Sequence, residues 1–509
     1  MSGTTSRGRS RLLTAAVAAG ALALTGLSSL VASGASAAGT STTGATTYLV
    51  VLSQGSSVSA ATKAVSAAGG RVVTSWSSIS VVVASSTSSS FAQTMRTTSG
   101  VEGVSATAKF ATRLDDGSDA GTAQSTTDAA PTAPTGDTLS GLQWDMDQIK
   151  APAAHAVTTG DQSVLVGDID TGLDYTHPDL AANVDDSASV NCVSGAPVPG
   201  KVAAMDDDGH GTHTAGTIAA AANGIGIVGV APSVRIAGIK AGDANGFFFP
   251  EAVVCAFMWA GDHGVDVTNN SYFADPWLFN CKNDPDQRAI WTAERRALKY
   301  AQTKGVLVVA AEGNQFEDLS HPTLDQTSPD DTNPVVRTVT NACAVFPTEA
   351  PGVIGVTATG NLRQKSYYSS FGISTADLAA PGGDRRLQVT AAAPNGRVLS
   401  TYPASLMGGC GFPVVDPSGA TYCYLQGTSM AAPHVAGVAA LIASVSQKRG
   451  GPLSAALQRA VNPIACPADV SAYAPFPGLD SGAPQTCQGG IGQNSWYGAG
   501  EVDAVKAVG

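Results

Sequence analysis

The sequence predicts an α/β protein: a doubly wound, mostly parallel sheet with helices on both faces, preceded by a small ferredoxin-like α+β unit. Two patterns lead there. From residue 141 onward, short apolar, β-branched runs alternate with longer helical patterns, as parallel strands joined by crossover helices do. Before that, between residues 48 and 113, the elements fall in the order β-α-β-β-α-β. Composition agrees, since 43% apolar against 13% charged residues forms cores and excludes a disordered chain.

Taken in order, the chain opens on a targeting signal. Arg7, Arg9 and Arg11 precede an uncharged Leu/Ala-rich run at residues 12–30, and Ala35-Ser36-Ala37-Ala38 supplies small residues for cleavage. Residues 1–38 are therefore read as a secretory signal peptide. Gly, Ser and Thr interrupt the run, which argues against a membrane anchor, and no later stretch reads as long and apolar enough to span a bilayer. The unit at 48–113 then reads as strand 48–52, helix 58–68, strands 71–76 and 79–84, helix 91–98 and strand 101–106. Residues 114–138 are rich in Ser, Thr, Ala, Asp, Gly and Pro, the composition of an exposed, cleavable linker. The main domain, 141–509, places strands at 163–170, 234–239, 265–271, 305–311 and 352–357. Helices are expected at 250–263 and 285–303. In such sheets, chemistry collects at strand ends and helix N-termini.

Net charge and cysteines set the compartment and the partners. The formal charge is −12 and the pI about 4.9, and removing the three signal arginines makes the charge about −15. That excludes a nucleic-acid backbone or an anionic membrane as main partner, and no membrane association is expected once the signal is gone. All eight cysteines follow the signal and none forms a C-x-x-C pair. An even number in an exported chain reads as disulfides in a secreted, extracellular protein. Short loops favour Cys410 with Cys423 and Cys466 with Cys487. The remaining four are assigned as Cys192 with Cys255 and Cys281 with Cys343.

Three segments carry chemistry-bearing residues at the edges of predicted elements. The first strand of the main domain ends in Asp170-Thr171-Gly172. Next, Asp208-Gly209-His210-Gly211-Thr212-His213 leads into an Ala-rich helix. The string Gly427-Thr428-Ser429-Met430-Ala431-Ala432-Pro433-His434-Val435-Ala436-Gly437 opens a long apolar helix. A serine hydroxyl attacks a carbonyl only when a base takes its proton. Histidine is that base near neutral pH, and a buried carboxylate fixes its tautomer. A helix N-terminus adds N–H groups where oxyanion charge develops. His210 and His213 do not read as a zinc pair, because H-E-x-x-H needs i, i+4 spacing and a Glu. The run Asp206-Asp207-Asp208 reads as a solvated acidic turn.

These segments resemble those of the subtilisin-like serine proteases, in the family's order Asp, His, Ser. The subtilisin triad is itself among the standard worked examples of this chemistry. His177-Pro178-Asp179-Leu180, Gln148-Ile149-Lys150-Ala151-Pro152 and the closing Trp496-Tyr497-Gly498-Ala499-Gly500 extend the likeness over most of 141–509. The resemblance implies a serine endopeptidase acting on protein or peptide substrates as a monomer, with no cofactor for chemistry. Ser429 is then the nucleophile, His210 the base and acid, and Asp170 the orienting acid. His213 becomes structural. Asp168 shares a strand face with Asp170, so periodicity cannot choose between them; the motif selects Asp170.

By the same likeness, Asn314, in Ala310-Ala311-Glu312-Gly313-Asn314, donates to the oxyanion. Glu312 departs from the small residue usual there, and either alters specificity or pairs inside the protein. Residues 265–271 resemble the family's pocket strand, which commonly continues with Leu-Gly-Gly where this chain has Tyr272-Phe273-Ala274; Ser271, Tyr272 and Phe273 are read as pocket residues. Asp179 and Asn223 match positions that bind structural calcium in many members. The unit at 48–113 resembles the family's propeptide, a folding assistant and intramolecular inhibitor. The chain would then be made as a zymogen and mature by self-cleavage of the linker, between Phe110 and Gln143.

Overall fold

The computed structural model describes residues 44–107, 136–274, 277–329 and 335–509, all within the unit Gly44–Gly509. The signal at 1–38, the end of the first unit at 108–113 and the linker as far as 135 lie outside the described residues.

The first elements are β1 (Thr46–Leu52), α1 (Val58–Ala67), β2 (Gly70–Trp76), β3 (Val81–Ser86), α2 (Phe91–Arg96) and β4 (Val101–Ala106). They form an antiparallel sheet in the order β2-β3-β1-β4. Ser57 caps α1 by accepting from the Ala60 N–H at 3.2 Å, satisfying one orphan donor of the first turn. β3 begins two residues later than the sequence pattern suggests. Ser77–Ile79 is a 3₁₀ turn closed by Ser80 at φ 57°, and a left-handed residue ends an extended run.

Alternation along β1 explains its unbroken apolar sequence. Tyr48, Val50 and Leu52 pack with Val65, Phe91 and Met95 beneath the unit's own helices. Leu49 and Val51, with Val81 and Val83, join the core of the main domain. A strand buried on both faces has no room for polar residues.

The main domain contains β5 (Leu165–Asp170), α3 (His210–Ala219), β6 (Arg235–Lys240), α4 (Pro250–Asp262), β7 (Val267–Asn270), α5 (Pro285–Thr303), β8 (Leu307–Ala311), β9 (Val353–Thr359) and β10 (Leu378–Pro381). The central order is β10-β9-β8-β7-β5-β6, all parallel. Glu501–Val502 and Val190–Asn191 continue it in parallel, and Val461–Asn462 and Val198–Pro199 close its edges antiparallel. One face carries α4 and α5, with Phe257, Ala289 and Trp291 in its core. The other carries α3 and a late helix, with Ile218, Val435 and Leu441. From β5 the chain crosses to β6 on one side, and from β7 to β8 on the other. The crevice of a doubly wound sheet opens at such a divergence, beyond the strands' carboxyl ends. Asp170 is the last residue of β5.

Three further strands, β11 (Val398–Thr401), β12 (Pro413–Val415) and β13 (Thr421–Leu425), form a small antiparallel sheet just before α6 (Thr428–Ser446). It braces α3: Ser400 Oγ donates to the His213 carbonyl at 2.7 Å and Thr401 Oγ1 to the Thr212 carbonyl at 2.6 Å. Contrary to the sequence expectation, α6 is long and apolar enough to cross a membrane, with a mean hydropathy of 1.5. The same window is 89% buried in the fold, so its apolarity is that of a central core helix.

All four disulfides pair as expected: Cys192–Cys255, Cys281–Cys343, Cys410–Cys423 and Cys466–Cys487.

Candidate active site

Asp170 is fully buried. Its Oδ1 accepts from the Thr171 N–H at 2.7 Å and from His210 Nδ1 at 2.7 Å. With Nδ1 held as donor, the ring's Nε2 is the basic nitrogen. His210 opens α3. The next residue must be Gly211, because a Cβ there would stand 2.1 Å from the Gly172 carbonyl oxygen. Its absence lets the first turn of α3 lie against the end of β5.

The acidic run before His210 is solvated only in part: Asp207 is exposed and Asp208 half-buried, but Asp206 turns inward. Asp206 is buried and accepts from the N–H groups of Asp208, Gly209 and Thr212 and the hydroxyls of Thr171 and Thr212. Burial alone would raise its carboxyl, but these hydrogen bonds hold it below its ordinary range. Asp207 pairs with Lys240 Nζ at 2.5 Å. Together they shape the loop that delivers His210.

Ser429 is the second residue of α6 and is buried. Its Oγ donates to the Ser271 carbonyl at 3.2 Å. Pro433, four residues on, has no N–H to offer the Ser429 carbonyl. The hydroxyl of Ser271 fills that gap, donating at 2.9 Å. Ser271 follows the Ile169–Asn270 pair of the β5–β7 ladder, so it stands beside Asp170 at the crevice.

Asn314 lies just beyond β8. Its Oδ1 accepts from the Thr428 N–H and the Thr428 hydroxyl, both at 2.9 Å. Fixing Oδ1 there turns Nδ2 the other way. A Cβ placed on Gly427 would be 3.4 Å from Asn314 Nδ2 and 3.6 Å from the Ser429 amide nitrogen. Two donors of different origin thus flank one small space at the start of α6.

This arrangement carries an acid, an imidazole and an alcohol on three elements meeting at the sheet's divergence point. Residues 161–462 match the subtilase family, Peptidase S8. The chain is a subtilase. It is a serine-type endopeptidase by family, and its fold is that of subtilisin. Over 301 residues, 59% of the chain, it is 34% identical to M-protease of Shouchella clausii (strain KSM-K16), of which it spans 59%. It is 33% identical to Subtilisin Savinase of Lederbergia lenta over 59% of the chain and 84% of that protein. The epidermin leader peptide processing serine protease of Staphylococcus aureus superposes with a TM-score of 0.63 at 21% identity, over 91% of this chain and 98% of that one.

In the subtilase, Tyr272 and Phe273 differ from the expectation of pocket residues. Both belong to the core on the α4–α5 face. The Tyr272 ring stacks on Phe248 with centroids 4.3 Å apart, and its hydroxyl donates to Asn270 Oδ1 at 3.2 Å. Only Ser271 of the three bonds to a candidate catalytic residue. Glu312 also turns inward. It is 1% exposed, and its Oε1 would be 2.5 Å from a Cβ on Gly355. Burial, with Glu349 and Asp377 nearby, pushes its carboxyl well above its ordinary range.

Asp179 and Asn223 are neighbours in the subtilase. Asp179 Oδ2 accepts from the Tyr422 hydroxyl at 2.7 Å and the Ile227 N–H at 3.1 Å, while its Oδ1 is buried with no hydrogen-bond partner. Asn223 Oδ1 accepts from the Ile225 N–H at 2.9 Å, and Nδ2 donates to the Pro178 carbonyl at 3.3 Å. Burial raises the Asp179 carboxyl to about 6. Among the described residues, no group of three or more His, Cys, Asp or Glu could hold a metal ion.

Sequence reasoning missed Thr428, which sets the rotamer of Asn314. Its position as the first residue of α6, immediately before the serine, was the available signal.

Proposed function

We propose that this subtilase is a secreted endopeptidase, made as a zymogen, in which Asp170, His210 and Ser429 form the catalytic triad. The observation that carries this reading is the 2.7 Å contact between Asp170 Oδ1 and His210 Nδ1. His210 Nε2 takes the Ser429 proton as Oγ attacks the substrate carbonyl carbon. The resulting oxyanion receives hydrogen bonds from the Ser429 N–H and Asn314 Nδ2. His210 then protonates the leaving amine, and water hydrolyses the acyl-enzyme by the same relay in reverse. Asp170 holds the ring and offsets its positive charge.

Substrates are proteins or peptides. The unit at 48–113 acts as the intramolecular inhibitor, a reading supported by its packing on α4 and α5. Arg296 Nη2 bonds Glu102 at 2.7 Å and Nη1 the Leu52 carbonyl at 2.8 Å, and Arg96 pairs with Asp286. Four disulfides support an extracellular setting. Chemistry needs no metal. A structural calcium ion would be held by the unpaired Asp179 Oδ1 and by Asn223, stabilising their loop.

The test is Ser429→Ala. Peptidase activity and fluorophosphonate labelling should both disappear, with turnover reduced by several orders of magnitude, and the N-terminal unit should stay attached. A variant that keeps ordinary activity overturns the triad. One trimmed at the wild-type place and rate overturns self-processing.

A further inference from the structure

We propose that Asp168 is a positioning residue of this active site: it ties α3, through Thr214, to β5 and β7, and through them to the Ser429 end of α6. The proposal rests on the triad reading above and extends it to the layer beneath. Asp168 is two residues before Asp170 on the same strand face and is fully buried. Thr214, one helical turn after His210, lies 2.7 Å from Asp168 Oδ2. Asn269 Nδ2, on β7, donates to Asp168 Oδ1 at 2.9 Å and contacts Ser271 Oγ at 3.0 Å. Ser271 Oγ in turn donates to the Ser429 carbonyl at 2.9 Å. One buried polar chain therefore runs from the helix of the base, through the strand of the acid, to the helix of the nucleophile. These three elements are far apart in sequence, and apolar packing tolerates sliding that a directional chain does not.

Thr214 Oγ1 donates to Asp168 Oδ2, and the Gly211 carbonyl, 3.0 Å away, is a second acceptor for the same hydroxyl. Burial first, then the charge of Asp170, push the Asp168 carboxyl well above its ordinary range; Asn269, Thr214 and His210 pull the other way. The charged or titratable groups near it are Asp170 on its own strand and His210 on α3. On β6, Lys240 Nζ is engaged by Asp207 and by the Thr171 and Gly242 carbonyls. β7 contributes only the neutral Asn269, and on α6 His434 bonds Asp145 instead. A carboxyl pushed in that direction favours its uncharged form, so the neutral isostere Asn is the conservative replacement at this position.

The test compares mature wild-type enzyme with Asp168→Asn, Asp168→Val and Thr214→Val, each normalised by fluorophosphonate titration of Ser429. Asp168→Asn can accept from Asn269 and donate to Thr214. It should keep kcat within about threefold of wild type, with the acid limb of the pH–kcat/KM profile unmoved. Asp168→Val leaves Thr214 and Asn269 without their partner. Its kcat should fall by about tenfold at unchanged KM, and Thr214→Val should fall in the same direction by less. Wild-type kcat in Asp168→Val overturns the proposal. So does an Asp168→Asn as impaired as the valine, or one whose acid limb drops by about a unit, the mark of a lost anion. If Asp168→Val does not mature, Thr214→Val carries the test, and unchanged kcat there overturns it. A wild type that fails to label at Ser429 sinks the triad reading and this proposal together; a labelled wild type with a silent Asp168→Val sinks this proposal alone.

Discussion

Thr428 holds Asn314, the proposed oxyanion donor, in one orientation. The Thr428 N–H and hydroxyl occupy Oδ1, so the amide cannot flip without losing both bonds, and Nδ2 is committed to the space beside Ser429. Asn314→Ala should therefore lower kcat by about 10²–10³ with little change in KM, measured on enzyme titrated at its active serine; a loss under about tenfold would mean that Nδ2 does not face the oxyanion. Residues of this kind divide sharply in how readable they were from sequence. Asp170, His210, Ser429 and Asn314 sit in short strings whose local backbone does the positioning, so the strings announce them. Tyr272 and Thr428 depend on partners far along the chain. The stacking of Tyr272 on Phe248 and the hydroxyl bond of Thr428 to Asn314 leave no mark in either residue's own segment. Glu312 is intermediate: its departure from a small residue was visible, but its inward direction depended on the space beside Gly355.

At the scale of elements, periodicity located the strands and helices well, because each is buried on at least one face. The docking of the first unit on α4 and α5 was not legible, since the residues that meet there belong to separately readable patterns. At that surface Glu251, in the first turn of α4, is buried. Its Cγ would be 2.9 Å from a Cβ on Gly195, and Val83 of β3 would be 3.2 Å from the same point. Burial raises its carboxyl to about 7, against which a hydrogen bond with Thr107 at the end of the first unit acts only weakly. A carboxyl raised in the docked state binds a proton there that it releases once exposed. Docking is therefore strongest below about pH 4.5, weakens as pH rises from there to about 7, and carries the full penalty above that. The bound first unit should lose on the order of a hundredfold in affinity across that window. Glu251→Gln should flatten the dependence. Inhibition constants for the isolated unit added back to mature enzyme, measured from pH 5 to 8, decide it, and parallel profiles for the two enzymes would remove Glu251 from the account.

Across the whole molecule, the two long disulfide loops enclose the segments that carry His210 and Asn314. Cys192–Cys255 closes 63 residues around His210 and α3, and Cys281–Cys343 closes 62 around α5, β8 and Asn314. Cys466–Cys487 closes only 21, near the carboxyl end and away from the triad. Chain entropy in the unfolded state makes a bridge worth more as its loop lengthens. Loop-closure entropy amounts to about 4 kcal/mol for the long loops and about 1 kcal/mol less for the short one. Replacing both cysteines by alanine in each pair should therefore destabilise Cys192/Cys255 more than Cys466/Cys487. Cys192 and Cys255 are also completely buried, so a packing loss adds to the entropic one. The comparison belongs on the Ser429→Ala background, where self-digestion cannot consume the unfolded chain and turn a stability into a rate. Denaturant midpoints there should fall further for the long-loop variant. Equal losses would show that native-state packing, rather than closure of the loop around His210, sets what each bridge contributes.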